Sequence, residues 1–181
     1  MIFETILSTL EEDVNFAPMG VVFKNNHVLI RPFKETKTFE NLSETKVGVI
    51  NLTDNVSIFA KSAVSDEKFP TFNAKMVRGV VLKDACSWYE VKVESFKEKE
   101  RAEFLCKILY HENIRNPLFF NRARSCVMEA SILATRLHKF EKDFVLSELE
   151  RFKIIVKKTG GKNEREAFSY IESYIGGKLN A

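Results

Sequence analysis

Apolar positions along the first half of the chain fall in short runs rich in β-branched and aromatic residues, each closed by turn-forming residues. That spacing predicts strands of an antiparallel sheet or barrel. Phe3 to Thr9 and Val14 to Phe23 flank the acidic turn Glu11-Glu12-Asp13, and Gly20 to Phe23 is placed to pair with Val28 to Phe33 across Asn25-Asn26. Val47 to Leu52 and Val56 to Val64 read as a second hairpin around Thr53-Asp54-Asn55. Gly79 to Leu82 turns at Lys83-Asp84 into Trp88 to Phe96, where Trp88, Glu90, Lys92 and Glu94 alternate with Tyr89, Val91 and Val93. From about Lys97 the rhythm becomes helical, with Phe104, Leu105, Ile108 and Leu109 on one face until Asn116-Pro117 interrupts it. Asn121 is placed to cap a helix running to about His138, with Cys126, Ala130, Leu133 and Leu137 as its apolar stripe and Val127 and Ala134 beside it. Leu146, Leu149, Phe152 and Ile155 or Val156 continue helically to a stop at Gly160-Gly161, and a last helix spans Asn163 to Ile175 before Gly176-Gly177. The fold class is α+β, with an antiparallel β domain over residues 1–96 and a helical subdomain over residues 97–181.

At 181 residues, 45% of them hydrophobic, the chain suffices for one substantial core or two modest ones. Lys and Arg exceed Asp and Glu by only 28 to 25, which gives no electrostatic footprint for nucleic acid unless the cations cluster on one face. Cys86, Cys106 and Cys126 form no CxxC pair and are odd in number, so packed, reduced thiols are expected rather than a disulfide framework or zinc site. His27, His111 and His138 stand in different elements, without carboxylates at metal-ligand spacing, and no metal is expected. The acidic start lacks the features of a signal peptide, and no apolar run approaches the roughly 20 residues that span a bilayer, so a cytoplasmic protein without a membrane partner is expected.

Arg31 to Leu42, RPFKETKTFENL, joins a strand end to the first turn of a short helix, with Thr38 placed as N-cap. A phosphate there would meet free backbone N–H groups and the positive end of the helix dipole, with hydroxyls of Thr36 and Thr38 and the guanidinium of Arg31 around it. The alternative is that Thr38 only caps the helix and Arg31 only pairs with a surface carboxylate. In Asn15-Phe16-Ala17-Pro18-Met19-Gly20, Pro18 removes a ladder donor and Gly20 permits close approach, which suits a flat ring or else a barrel-edge bulge. Asn51 ends an apolar run, where its amide can serve a ligand or simply turn the chain. No GxGxxG with its acidic partner, P-loop or nucleophile elbow is present.

Taken together, these segments resemble the FMN-binding split barrels related to flavin reductases and pyridoxamine phosphate oxidases. More narrowly, NFAPMG, RPFKETKTFENL, VGVINLTD and NRARSCVMEASILATRLHKF, in that order and over nearly the whole chain, resemble the archaeal domain-of-unknown-function family 447. The resemblance implies a homodimer with FMN near the subunit interface, its phosphate at the RPF to TFENL segment and its ring near the APMG strand. It carries over Arg31, Thr36, Thr38, Asn41 and Asn51 as cofactor contacts, with Ala17, Pro18, Met19 and Gly20 as backbone contacts. Arg122, Ser125, Glu129 and Arg136 share a face of the Asn121 helix. That face is either solvated or closes over the barrel or a partner subunit and brings Arg122 or Arg124 to the flavin, where a cation would stabilise the anionic reduced ring.

The function so implied is a flavin-reductase-like oxidoreductase passing electrons from NADH or NADPH through FMN, with no side chain named as catalytic. A protein that binds FMN without turnover, as an electron carrier or a flavin store, is the alternative. A flavin-free interaction module, binding RNA through Lys157, Lys158 and Lys162, is a third reading that the small net charge of +3 does not favour.

Overall fold

A computed structural model describes residues 1–99 and 101–180 of the chain. Eight strands carry the first part: β1 (Phe3–Leu10), β2 (Val14–Lys24), β3 (His27–Ile30), β4 (Val47–Leu52), β5 (Thr71–Asn73), β6 (Val80–Leu82), β7 (Ser87–Lys97) and β8 (Glu103–Asn113). α1 (Lys37–Thr45) and α2 (Val56–Val64) interrupt them, and α3 (Arg122–Ala134), α4 (Lys142–Thr159) and α5 (Lys162–Leu179) follow, with a 3-10 turn at Leu137–Lys139. Six strands close a barrel in the order β1-β2-β3-β8-β7-β4, while β5 and β6 form a separate two-stranded ribbon. Closure leaves none of the six with an unpaired edge.

Alternation of side chains builds the barrel core. Leu7, Met19, Val21, Val28, Ile30, Ile50, Val91, Phe104 and Cys106 are buried together with Leu42 of α1. On the opposite face of β4 and β7, Val49 and Trp88 pack with Val81 of β6 and with Phe72, Ala74, Val77 and Tyr110. The β2–β3 hairpin turns at Asn25-Asn26 between Lys24 and His27, with Asn25 in the left-handed region at φ 52°, a conformation that asparagine tolerates. β3 is shorter than the expected Val28 to Phe33, for Pro32 offers no ladder donor.

Compact units divide the chain differently from a cut after Phe96. One unit comprises residues 1–53 and 68–117, the other 54–67 and 118–181. Two local expectations fail for the same reason. The expected helix from Lys97 to Asn116 is β8, whose Phe104 and Cys106 enter the barrel core at period two. In a short apolar run, Phe104, Leu105, Ile108 and Leu109 fit either period, and pairing with β3 and β7 decides it. The expected strand Val56 to Val64 is α2, capped by Asn55, whose Oδ1 accepts from Ser57 N at 3.0 Å. Val56 and Ala60, four apart, reach the core of the helical unit instead of a sheet. Val80 to Leu82 forms β6, which pairs with β5 before the chain turns at Lys83-Asp84 towards β7.

In the second unit, Ala123, Cys126, Val127, Ala130 and Leu133 of α3 pack against Val145, Leu149, Phe152 and Val156 of α4 and Ala167, Phe168, Ile171 and Ile175 of α5. Val145 takes the inward place expected of Leu146, which is exposed. α5 runs through Gly176-Gly177, where a Cβ would meet nothing within 4 Å, so these glycines do not stop the helix. Asn121 caps α3 as expected. Its Oδ1 accepts from Ala123 N at 2.8 Å and Arg124 N at 3.2 Å, and its Nδ2 donates to the Thr159 carbonyl at 3.1 Å. Asn121→Ala removes the cap and the tie to α4 together, and is expected to destabilise the helical unit by about 1–2 kcal/mol in urea unfolding followed by far-UV circular dichroism.

Candidate functional site

Groups suited to binding an anion lie where β3 ends and α1 begins. Thr36, not Thr38, is the N-cap: its Oγ1 accepts from Phe39 N at 3.3 Å and donates to the Phe33 carbonyl at 2.7 Å. The cap falls two residues earlier than expected because Thr36 is the residue with extended backbone, φ −105° and ψ 146°. Phe39 N and Glu40 N both bond to the Thr36 carbonyl, while the N–H groups of Lys37 and Thr38 meet no acceptor among the described residues. Thr36 therefore uses its hydroxyl proton internally, and the donors left at this terminus are backbone amides.

Thr38 and Asn41 face the barrel, both almost fully buried. Asn15 Nδ2 donates to Thr38 Oγ1 at 3.0 Å and lies 3.4 Å from Thr9 Oγ1, which also accepts from Asn41 Nδ2 at 3.0 Å. This network of Thr9, Asn15, Thr38 and Asn41 fastens α1 onto the β1–β2 hairpin and fixes where its N-terminus sits. Thr38 and Asn41 thus act from behind the helix terminus; Asn15, which opens the NFAPMG segment, joins them through its side chain, and Thr9 is the member that the sequence pattern alone did not single out.

Arg31 stands one residue beyond β3, and its Nε lies 3.1 Å from Glu103 Oε1 at the start of β8. Arg31 thus has the carboxylate pairing expected as one alternative. The guanidinium is not consumed by it. Nε is buried without an aligned hydrogen bond, and both Nη groups are without a partner among the described residues. Glu103 is held by Lys99, 2.8 Å from its second oxygen. That hydrogen bond, with the charges of Lys99, Arg31 and Lys97, outweighs burial and keeps the Glu103 carboxyl below the usual carboxylate range. Arg101 Nε donates to the Arg31 carbonyl at 2.6 Å, and its guanidinium covers Phe33 at 4.4 Å, bracing the connection from β3 to α1.

Ala17, Pro18, Met19 and Gly20 lie in mid-β2, opposite Leu7, Ile6, Thr5 and Glu4 of β1. Met19 enters the barrel core, and alternation turns Pro18 and Gly20 to the outer surface, where Pro18 removes one backbone donor. A Cβ on Gly20 would come within 2.9 Å of Ile2 Cγ2, so the close approach this glycine serves is made by the chain itself. Asn51 is fully buried. Its Nδ2 donates to the Ile6 carbonyl and Ser8 Oγ, each at 3.1 Å, and its Oδ1 accepts from Leu82 N at 2.9 Å. Asn51 thereby ties β6 to β1 and β4, and its amide is satisfied within the fold.

Arg122, Ser125 and Glu129 are exposed on α3, whereas Arg136, also exposed, lies beyond its end at Ala134, in the link to the 3-10 turn, and so does not share the expected helix face. Arg124 belongs to a different arrangement: its Nε pairs with the nearly buried Glu164 at 2.9 Å, whose other oxygen accepts from Gly161 N at 2.9 Å to cap α5. Among the described residues no cluster of three His, Cys, Asp or Glu could hold a metal, and no helix is long and apolar enough to cross a membrane. Cys86, Cys106 and Cys126 are all buried, with burial pushing the Cys106 thiol up to about 12.

Two family models match the chain in tandem: the N-terminal domain of the protein of unknown function DUF447 over residues 3–115 and its companion DUF447 model over residues 121–173. The chain belongs to the DUF447 family. Another member, the FMN-bound protein MM1853 from Methanosarcina mazei, superposes with a TM-score of 0.84 over 96% of this chain and 94% of its own, at 26% identity. The Methanocaldococcus jannaschii protein MJ1453 is also 26% identical, covering 92% of this chain and 94% of that protein. Outside DUF447, the NADH:FAD oxidoreductase SgcE6 of Streptomyces globisporus shares the barrel fold, with a TM-score of 0.53 at 11% identity over 61% of this chain and 75% of its own. The fold of this DUF447 chain is thus the flavin-reductase-like split barrel, joined to a helical unit that includes α2.

Proposed function

We propose that this protein is an FMN-binding flavoprotein whose phosphate site is the start of α1 with Arg31. The observation that carries the reading is the set of donors without a partner among the described residues in the segment from Arg31 to Thr38, namely Lys37 N–H, Thr38 N–H and the two Nη groups of Arg31, in a chain similar end to end to an FMN-bound relative. Backbone amides at a helix N-terminus and a planar guanidinium suit a phosphate dianion, so the residues present fit the phosphate end of the cofactor. Thr36 starts the helix there, and Thr38 and Asn41 hold it in place. Ala17, Pro18, Met19 and Gly20 supply the strand proposed to lie along the ring. Asn51 serves the site indirectly by holding β1 and β4 together.

When bound, FMN supplies the electron-transfer chemistry, and the protein's part is to bind, orient and shield it. The reading extends to an oxidoreductase that takes electrons from NADH or NADPH, supported by the shared fold of SgcE6, and to a homodimer in the cytoplasm. Arg122 as a cation near the ring belongs to the same proposal. The protein is expected to turn yellow when incubated with FMN and to keep its colour through desalting. NADH or NADPH added without oxygen should then bleach the flavin band, and air should restore it. A flavin untouched by either nucleotide would favour the carrier reading, and a colourless protein would remove the cofactor assignment.

A further inference from the structure

The β3–β8 register pairs Ile30 with Phe104, and one step further it sets Arg31 beside Glu103. On the other side of β8, Lys97 of β7 is the partner of Glu103. Glu103 therefore stands between cations on two neighbouring strands, with Lys99 on its second oxygen and only 19% of its side chain exposed, against 43% for Arg31. It meets the guanidinium at the Nε edge and leaves both Nη groups without a partner among the described residues. Lys34, a few residues on, is occupied separately by Glu98 at 3.0 Å. Arg31 is thus a cation steadied from behind by a carboxylate that is itself fixed by lysine.

We propose that Glu103 is a positioning residue for the flavin phosphate: it holds Arg31 by its Nε edge, keeps both Nη groups available to an oxyanion, and so sets the preference for FMN over unphosphorylated riboflavin. The inference rests on the phosphate assignment made under Proposed function. Simple charge counting gives the opposite sign, because removing a carboxylate next to a phosphate site relieves repulsion and should tighten FMN binding. Positioning predicts loosening, since an unrestrained arginine loses side-chain freedom on engaging the ligand.

The test is a fluorescence titration of FMN and of riboflavin into wild type, Glu103→Gln, Glu103→Asp, Arg31→Ala and the double variant Arg31→Ala/Glu103→Gln, with thermal midpoints as a check on folding. Glu103→Gln is expected to weaken FMN about tenfold and to leave riboflavin within about twofold, with Glu103→Asp intermediate. In the Arg31→Ala background, Glu103→Gln should change neither flavin further, because the two residues act as one unit. FMN bound as tightly or more tightly by Glu103→Gln overturns the proposal, as does an equal loss for both flavins. If Arg31→Ala itself leaves the FMN-to-riboflavin ratio unchanged, the phosphate assignment falls and the role of Glu103 with it. If Arg31→Ala lowers the ratio while Glu103→Gln does not, only the role of Glu103 falls.

Discussion

Arg31→Ala is expected to weaken FMN binding by about a hundredfold, equivalent to about 2.7 kcal/mol, while riboflavin binds nearly as before. The magnitude follows from losing a charge-assisted, two-pronged contact whose Nη donors have no competing acceptor among the described residues. Specificity of the loss separates this site from a general weakening of the barrel, because riboflavin lacks only the phosphate. Raising ionic strength should narrow the gap between wild type and variant, as the lost contact lies at a partly exposed side chain. An equal effect on both flavins would move the phosphate elsewhere in the molecule. Glu103 should remain tied to Lys99 in the variant, so the start of β8 keeps one of its two ion pairs.

Glu90→Gln is expected to destabilise the barrel unit by about 3 kcal/mol, the largest stability effect of any single polar substitution proposed for this protein. Glu90 is fully buried on β7, facing the β5–β6 ribbon rather than the barrel core. Its carboxylate accepts from Lys75 N at 2.7 Å, Met76 N at 2.5 Å, Val77 N at 3.0 Å and Trp88 Nε1 at 3.1 Å. Burial opposes its ionisation, but these four donors outweigh burial and hold the carboxyl below the usual range. An amide of the same shape would turn two N–H groups towards backbone donors and leave some of them unsatisfied. Because the folded pKa is depressed, Glu90 contributes stability in full above the ordinary value of 4.5 and loses it as pH falls through the lower folded value. Wild-type stability should therefore decline on acidification below about pH 4.5 more steeply than that of the variant. Trp88, the single tryptophan of the chain, donates to this carboxylate, so its fluorescence in urea titrations at several pH values reports the transition directly.

Local chemistry made a good part of the fold readable. The β1–β2 hairpin around Glu11-Glu12-Asp13 pairs Leu10 with Val14 as its flanking runs suggest, and the Asn25-Asn26 turn joins β2 to β3. Asn121 caps α3, and the stripe of Cys126, Ala130 and Leu133 is the buried one. These are short-range decisions, settled by turn residues, caps and one-sided periodicity. At the candidate site, the strand-to-helix junction from Arg31 to Leu42 was likewise legible, since proline, threonine and the following polar-apolar alternation are local signals. What misled was the choice between equal local fits: residues 103–113 and 56–64 satisfy either a helical or a strand period over a short stretch.

The sequence by itself determined the strand-rich first half and the helical end, the turns that join β1 to β2 and β2 to β3, and the strand-to-helix junction after Arg31, because each depends on residues close together along the chain. Tertiary structure decided that β8 closes the barrel, that α2 leaves the sheet for the helical unit, and that Glu103 and Asn15 stand beside Arg31 and Thr38. It also decided that Asn51 and Glu90 are satisfied inside the fold, Asn51 by β1 and β6 and Glu90 by Trp88 and the loop before β6. Apart from Trp88, which is two residues from Glu90 on the same strand, these partners are distant in sequence and are brought within hydrogen-bonding distance by the packing of separate strands. A buried polar group takes its role from whichever donors the packed chain delivers to it, and no local pattern records that delivery.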